Sequence, residues 1–152
     1  MEDDRISDDV LAKLHGLFEN ERDGIANAAN CAAVLFHGLA DVNWAGFYLW
    51  NGEELVLGPF AGRPACVRIG LGRGVCGTAA AERRTVVVAD VHAFPGHIAC
   101  DSASASEIVV PLLRGDELLG VLDVDSPRHG RFGPQEQALL EHVARMWVAS
   151  CG

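Results

Sequence analysis

The stretch NWAGFYLWNGEELVLGPF, residues 43–60, decides the fold class. Trp44, Phe47, Tyr48, Leu49 and Trp50 form an aromatic run of strand type, and Glu54 to Phe60 is short and apolar. Asn51-Gly52 between them is the strongest short-range signal for a β-hairpin. Before the hairpin, Ile6 to Leu39 carries apolar residues at helical spacing (Val10, Leu11, Leu14, Leu17, Phe18, then Ile25, Ala28, Ala29, Ala32, Ala33) with a break near Asp23-Gly24, which predicts two helices. After it, Cys66 to Ile69 reads as a strand, Val75 to Glu82 as a short helix and Thr85 to Ala89 as a brief strand. Glu107 to Leu113 and Leu118 to Asp125 read as an antiparallel pair turning at Arg114-Gly115-Asp116. Gly133-Pro134 opens a last helix with Leu139, Leu140, Val143, Met146 and Trp147 on its buried stripe. The whole reads as one α+β domain over 1–152, with residues 1–5 a flexible start. An antiparallel sheet of about six strands carries the N- and C-terminal helices on one face and active-site loops on the other.

The 152 residues suffice for one core, and 49% hydrophobic with 22% charged residues is an ordinary globular balance. Twenty-one acidic against 12 basic residues give a formal charge of −9, which repels phosphate backbones and anionic headgroups, so neither nucleic acid nor a membrane surface is expected as a partner. No apolar run reaches the length of a membrane span, and Met1-Glu2-Asp3-Asp4 lacks the features of a signal peptide, so a cytoplasmic location is expected. In a reducing compartment the five cysteines are then free, catalytic or metal-bound rather than a structural framework.

Three of them sit in glycine- and proline-punctuated surroundings: Gly62-Arg63-Pro64-Ala65-Cys66, Gly74-Val75-Cys76-Gly77 and Gly96-His97-Ile98-Ala99-Cys100-Asp101. That setting predicts exposed, movable thiols and redox chemistry on a small molecule. Cys76 has a helix start to favour its thiolate. Cys100 lies in a 17-residue stretch, Asp90 to Ser106, longer than compact domains tolerate unless it serves as a lid or binding segment. His97 and Asp101 beside it pull its pKa in opposite directions. Asp123 and Asp125 alternate along one strand and so share a face, and Glu107 at the opening of the preceding strand can join them. Neighbouring carboxyls attract a cation and raise one another's pKa, which suits an ammonium group and a general acid. With Trp44 and Tyr48 as an aromatic wall, the inventory describes a pocket for a small zwitterion with an apolar side chain.

Segments 43–49, 57–60, 64–69, 72–80, 90–101, 106–111 and 120–127, taken in order and with three cysteines at matching spacing, resemble the free methionine-(R)-sulfoxide reductases, which have a GAF fold. The resemblance runs from about residue 5 to 150. It implies reduction of free L-methionine-(R)-sulfoxide, not the peptide-bound form, with no bound cofactor and with electrons from thioredoxin and NADPH. By the match, Cys100 is the nucleophile, a carboxyl protonates the sulfoxide oxygen, and Cys66 resolves the sulfenic acid as a Cys66–Cys100 disulfide, with Cys76 an auxiliary or second resolving thiol. Glu107, Asp123 and Asp125 fall on the substrate-binding acids, Trp44 and Tyr48 on the wall around the methyl group. Backbone N–H groups near Ile98 and Ala99 are expected to take the carboxylate. A homodimer is a family expectation. Ala61 and Ala105 stand where many members carry larger polar residues, and Cys31 and Cys151 fall outside the three matched cysteines.

Cys31, in a helical run, reads as a small buried hydrophobe. His92, His97 and His129 form no Cys-x-x-Cys or His-x-x-x-His pair, so no metal is expected. Trp147 reads as core or a dimer contact. Two rival classes are a noncatalytic GAF-type binding or redox-sensing module, for whose output domain the chain has no room, and an interaction protein with incidental cysteines. Turnover separates them from an enzyme.

Overall fold

The Asn51-Gly52 turn forms as its residue types require. Asn51 Oδ1 accepts from the N–H groups of Glu53 and Glu54, both at 2.9 Å, and Gly52 takes φ +100°, a conformation that strains any side chain. The turn joins β1 (Trp44–Trp50) to β2 (Glu54–Gly62). The computed structural model describes residues 4–97 and 103–151. β3 (Arg68–Gly70), β4 (Val86–Val88), β5 (Ser106–Arg114) and β6 (Glu117–Ser126) complete a six-stranded antiparallel sheet in the order β3-β2-β1-β6-β5-β4. The hairpin strand β1 and the late strand β6 thus meet at the centre of the sheet.

Alternation along these strands makes two cores. Ala45 and Phe47 of β1, Ile108, Val110 and Leu112 of β5, and Leu122 and Val124 of β6 face the helices α1 (Asp4–Phe18), α2 (Gly24–Gly38) and α4 (Pro134–Ser150). Val10, Leu14 and Phe18 recur every four residues on the buried stripe of α1. Asp23 caps α2 by accepting from the N–H groups of Ile25 and Ala26. At the start of α4 Pro134 needs no N–H partner, and Glu136 Oε1 accepts from Gly133 N–H at 2.7 Å. Trp147 is buried with its ring 5.3 Å from that of Phe47, a core residue. Cys31 is fully buried among aliphatic side chains, and burial pushes its thiol pKa up, as its structural reading requires.

On the opposite face α3 (Gly74–Glu82) packs its Val75, Cys76, Ala79 and Ala80 against Val109, Val121 and Ile69. The terminal helices therefore share one face as expected, while α3 joins the loops on the other. Boundaries differ in places. α1 begins at Asp4 rather than at Ile6. β3 begins at Arg68 rather than Cys66: Leu57 N–H donates to Val67 O at 2.9 Å, but the next ladder donor on β2 would be Pro59, which has no N–H. Cys66 consequently lies in the connection 63–67. Within the stretch expected to be a long loop, Val91–Ala93 forms a 3-10 turn, and Ala105 is tied through its O to Val91 N and through its N to Ser126 O. Among the described residues no helix is long and apolar enough to cross a membrane.

Candidate active site

Strand register builds the site. Trp44 on β1 stands across from Asp125 on β6, which stands across from Glu107 on β5, so an indole and two carboxyls lie in one row over three strands. Two residues along, Gly46, Asp123 and Val109 make the next row, followed by Tyr48 and Val121. The two-residue period puts all three rows on the face away from the terminal helices. Gly46 is required here: a Cβ on it would lie 2.4 Å from Phe60 Cβ and 2.8 Å from the Trp44 ring. In the space it leaves, Trp44 stacks between Phe60 and Tyr48, with ring centroids 5.3 and 5.9 Å away. α3 closes the pocket from the far side and lowers Cys76 onto the acids, its Sγ 4.0 Å from Glu107 Oε2.

Burial sets the electrostatics. Glu107 and Asp123 are 8% and 5% exposed, Cys76 4%, and Asp125 is half-buried. Asp123 is held well above the usual carboxylate range by burial first, then by the charges of Asp125 and Glu107 and hydrogen bonding to both. Its Oδ1 is buried without a hydrogen-bond partner among the described residues. The Cys76 thiol is likewise pushed up by burial and by Asp123, Glu107 and Asp125. The expectation of an exposed Cys76, activated by a helix start, is thus overturned: low dielectric and adjacent carboxyls outweigh the helix dipole. One sulfur and two carboxylate oxygens, from Cys76, Glu107 and Asp123, lie within 4.8 Å of one another, donors that suit a divalent cation or an ammonium group.

The aromatic wall makes polar contacts as well. The Tyr48 phenol, kept neutral by burial and by the nearby acids, donates to Cys66 O at 2.9 Å, and Trp44 Nε1 donates to Arg63 O at 3.0 Å. Cys66 is half-buried and engaged in a disulfide bond, whereas Cys31, Cys76 and Cys151 carry free thiols.

Residues 13–148 match the GAF domain family. Over 139 residues the chain is 50% identical to the free methionine-R-sulfoxide reductase of Escherichia coli (strain K12), a match covering 91% of this chain and 84% of that protein. The chain belongs to the GAF-domain free methionine-R-sulfoxide reductase family. It is also 53% identical over 137 residues to protein YtsP of Bacillus subtilis (strain 168), covering 89% of this chain and 84% of that one. A solved free methionine-R-sulfoxide reductase from Neisseria meningitidis, in complex with its substrate, superposes with a TM-score of 0.92 at 44% identity, covering 99% of this chain and 92% of that chain.

In this GAF domain the structure brings together Trp44, Tyr48, Cys76, Glu107, Asp123 and Asp125 around one pocket, with Cys66 tied to its aromatic wall. Cys100, Ile98 and Ala99 lie outside the described residues. The pocket also takes in Arg73, His97 and Ser104, to which sequence reasoning assigned no substrate contact. Arg73 is an exposed cation at the N-cap of α3, beside an acidic pocket. The Gly72-Arg73-Gly74 pattern at the helix start was the available signal for it. Ser104 is buried and held by Asn43, whose Nδ2 donates to its Oγ at 3.2 Å; nothing in its local sequence marks it.

Proposed function

We propose that this GAF domain reduces free L-methionine-(R)-sulfoxide to L-methionine by cysteine chemistry. The observation that carries the reading is the convergence of Glu107, Asp123 and Asp125 on one pocket, walled by Trp44 and Tyr48 and adjoining a disulfide-bonded Cys66. Family membership supports it, as does the substrate complex of the Neisseria meningitidis relative.

A free amino acid carries an ammonium group that a peptide-bound methionine lacks. Asp125 and Glu107, in one row, offer it carboxylates, and the apolar methyl end lies against Trp44 and Tyr48. Asp123, whose pKa is raised by burial and by Asp125 and Glu107, supplies the proton to the sulfoxide oxygen. The Cys100 thiolate attacks the substrate sulfur, and the oxygen passes to Cys100 as a sulfenic acid while methionine leaves. The Cys66 thiol then displaces that oxygen as water, forming the Cys66–Cys100 disulfide, which the thioredoxin dithiol reduces by exchange. The buried, neutral Cys76 thiol acts here as a hydrogen-bond donor to the acids rather than as the first resolving group.

The test follows methionine release from separated free (R)- and (S)-methionine sulfoxide and from the N-acetylated (R) form, with thioredoxin, thioredoxin reductase and NADPH supplied. Turnover of the free (R) form alone is expected. No turnover of any form by protein with confirmed free thiols would overturn the assignment in favour of a binding or sensing module.

A further inference from the structure

The connection 63–67 carries Cys66 between β2 and β3, and Arg63, Pro64 and Val67 in it are exposed. A strap of this kind ought to be loose, yet three of its carbonyls are tied to the hairpin: Arg63 O accepts from Trp44 Nε1 at 3.0 Å, Cys66 O from Tyr48 Oη at 2.9 Å, and Val67 O from Leu57 N at 2.9 Å. Two of the donors, Trp44 and Tyr48, are side chains 2% exposed on β1, a central strand; they stack on each other, and Trp44 stacks on Phe60 as well.

We propose that Tyr48, with Trp44 in support, is a positioning residue for Cys66: its phenol holds the backbone of the strap where the Cys66 sulfur can close a disulfide. The inference deepens the reductase reading, in which Cys66 resolves the sulfenic acid of Cys100. Closure forms one S–S bond and breaks one S–O bond, with the Cys66 proton and the hydroxyl leaving as water. Disulfide geometry tolerates Cα separations of only about 4.4–6.8 Å, and misplacement of a reacting group by about 1 Å can cost on the order of 100-fold in rate. A neutral, buried phenol aimed at the carbonyl of the reacting residue meets that demand, and its ring at the same time faces the pocket. The side chain that walls the substrate site thereby also sets the resolving sulfur.

The thiol–disulfide equilibrium tests this without any sulfoxide. Oxidised protein is equilibrated with reduced and oxidised glutathione, so that two glutathione thiols exchange for the protein disulfide, and the reduced fraction of Cys66 is read by alkylation and mass spectrometry. Tyr48→Phe removes the hydroxyl and keeps the ring. A positioning role makes this hydrogen bond worth more in the disulfide, where it is seen, than in the dithiol, so its loss is expected to shift the equilibrium toward the dithiol by about threefold to tenfold, up to the worth of one hydrogen bond. A variant weakened equally in both redox states keeps its equilibrium, so plain loss of folding stability does not mimic the result. Should Tyr48→Phe fold poorly, Trp44→Phe, which removes the tie to Arg63, carries the same expectation. Equilibrium constants within twofold of the parent protein, or a shift toward the disulfide, would overturn the proposal. A chain that failed to reduce methionine sulfoxide would leave this measurement intact, so the two readings fail separately.

Discussion

Cys76 Sγ lies 4.0 Å from Glu107 Oε2, a thiol set down among carboxyls rather than facing solvent. At that position burial and negative charge keep it protonated, and a protonated thiol is a poor nucleophile. In the reduced protein, iodoacetamide at neutral pH should therefore modify Cys151, which is half-buried, long before Cys76 or the fully buried Cys31. Peptide mapping that found Cys76 labelled as fast as a free thiol would contradict its neutral state.

Asp123 carries a stability consequence with a definite sign. Its folded pKa is raised above its unfolded value of about 3.9, so its contribution is fully present below that value and is lost as pH rises through the folded pKa. Asp123→Asn removes the liability. The variant should gain thermal stability over the parent protein at pH 7.5, gain less at pH 5, and lose most of its turnover, since the reductase reading makes Asp123 the proton donor. Melting curves at the two pH values decide it; a gain that does not grow with pH would speak against a raised Asp123.

Glu107 and Asp125 share a row, and the reductase reading gives them the ammonium group. A charged hydrogen bond is worth about 1.5–3 kcal/mol, so Glu107→Gln or Asp125→Asn should raise KM for the free (R)-sulfoxide about 10- to 100-fold. Discrimination against the N-acetylated form should shrink with it. Steady-state kinetics on both substrates check this, and an unchanged KM would remove these acids from the site.

The order of sulfur chemistry is separable by variants. Cys100→Ser should abolish methionine formation. Cys66→Ser should release about one methionine per chain and then stall as a sulfenic acid, visible with a sulfenic-acid reagent. Continued turnover by Cys100→Ser would sink the mechanism.

Packing at Gly46 gives a purely structural test. A Cβ there meets Phe60 Cβ at 2.4 Å and the Trp44 ring at 2.8 Å. Gly46→Ala should cost about 1–3 kcal/mol of stability, the usual price of overpacking, and displace the indole from the pocket. Chemical denaturation and Trp fluorescence would register both effects, and an unperturbed variant would show the Trp44 stack to be more compliant than its contacts imply.

Much of this was legible in the chain. Asn51-Gly52 announced the hairpin, apolar spacing at Val10, Leu14 and Phe18 announced α1, and Gly133-Pro134 placed the start of α4, because each signal is local and acts through its own backbone. The shared face of Asp123 and Asp125 followed from strand period alone. Cys76 misled because its glycine-flanked helix start is local, whereas the carboxyls that suppress its thiolate arrive from β5 and β6. The start of β3 was misplaced because the missing donor, Pro59, lies on a different strand.

The sequence by itself determined the residue types, their periods, the helix and turn signals and the family, all of which depend on neighbours a few positions apart or on the order of motifs. Only the tertiary structure decided that Trp44, Asp125 and Glu107 stand in one row, that α3 presses Cys76 against them, and that Tyr48 holds the backbone of Cys66. Those relations depend on which strand lies beside which, and on a dielectric that exists only once the elements have closed over the acids.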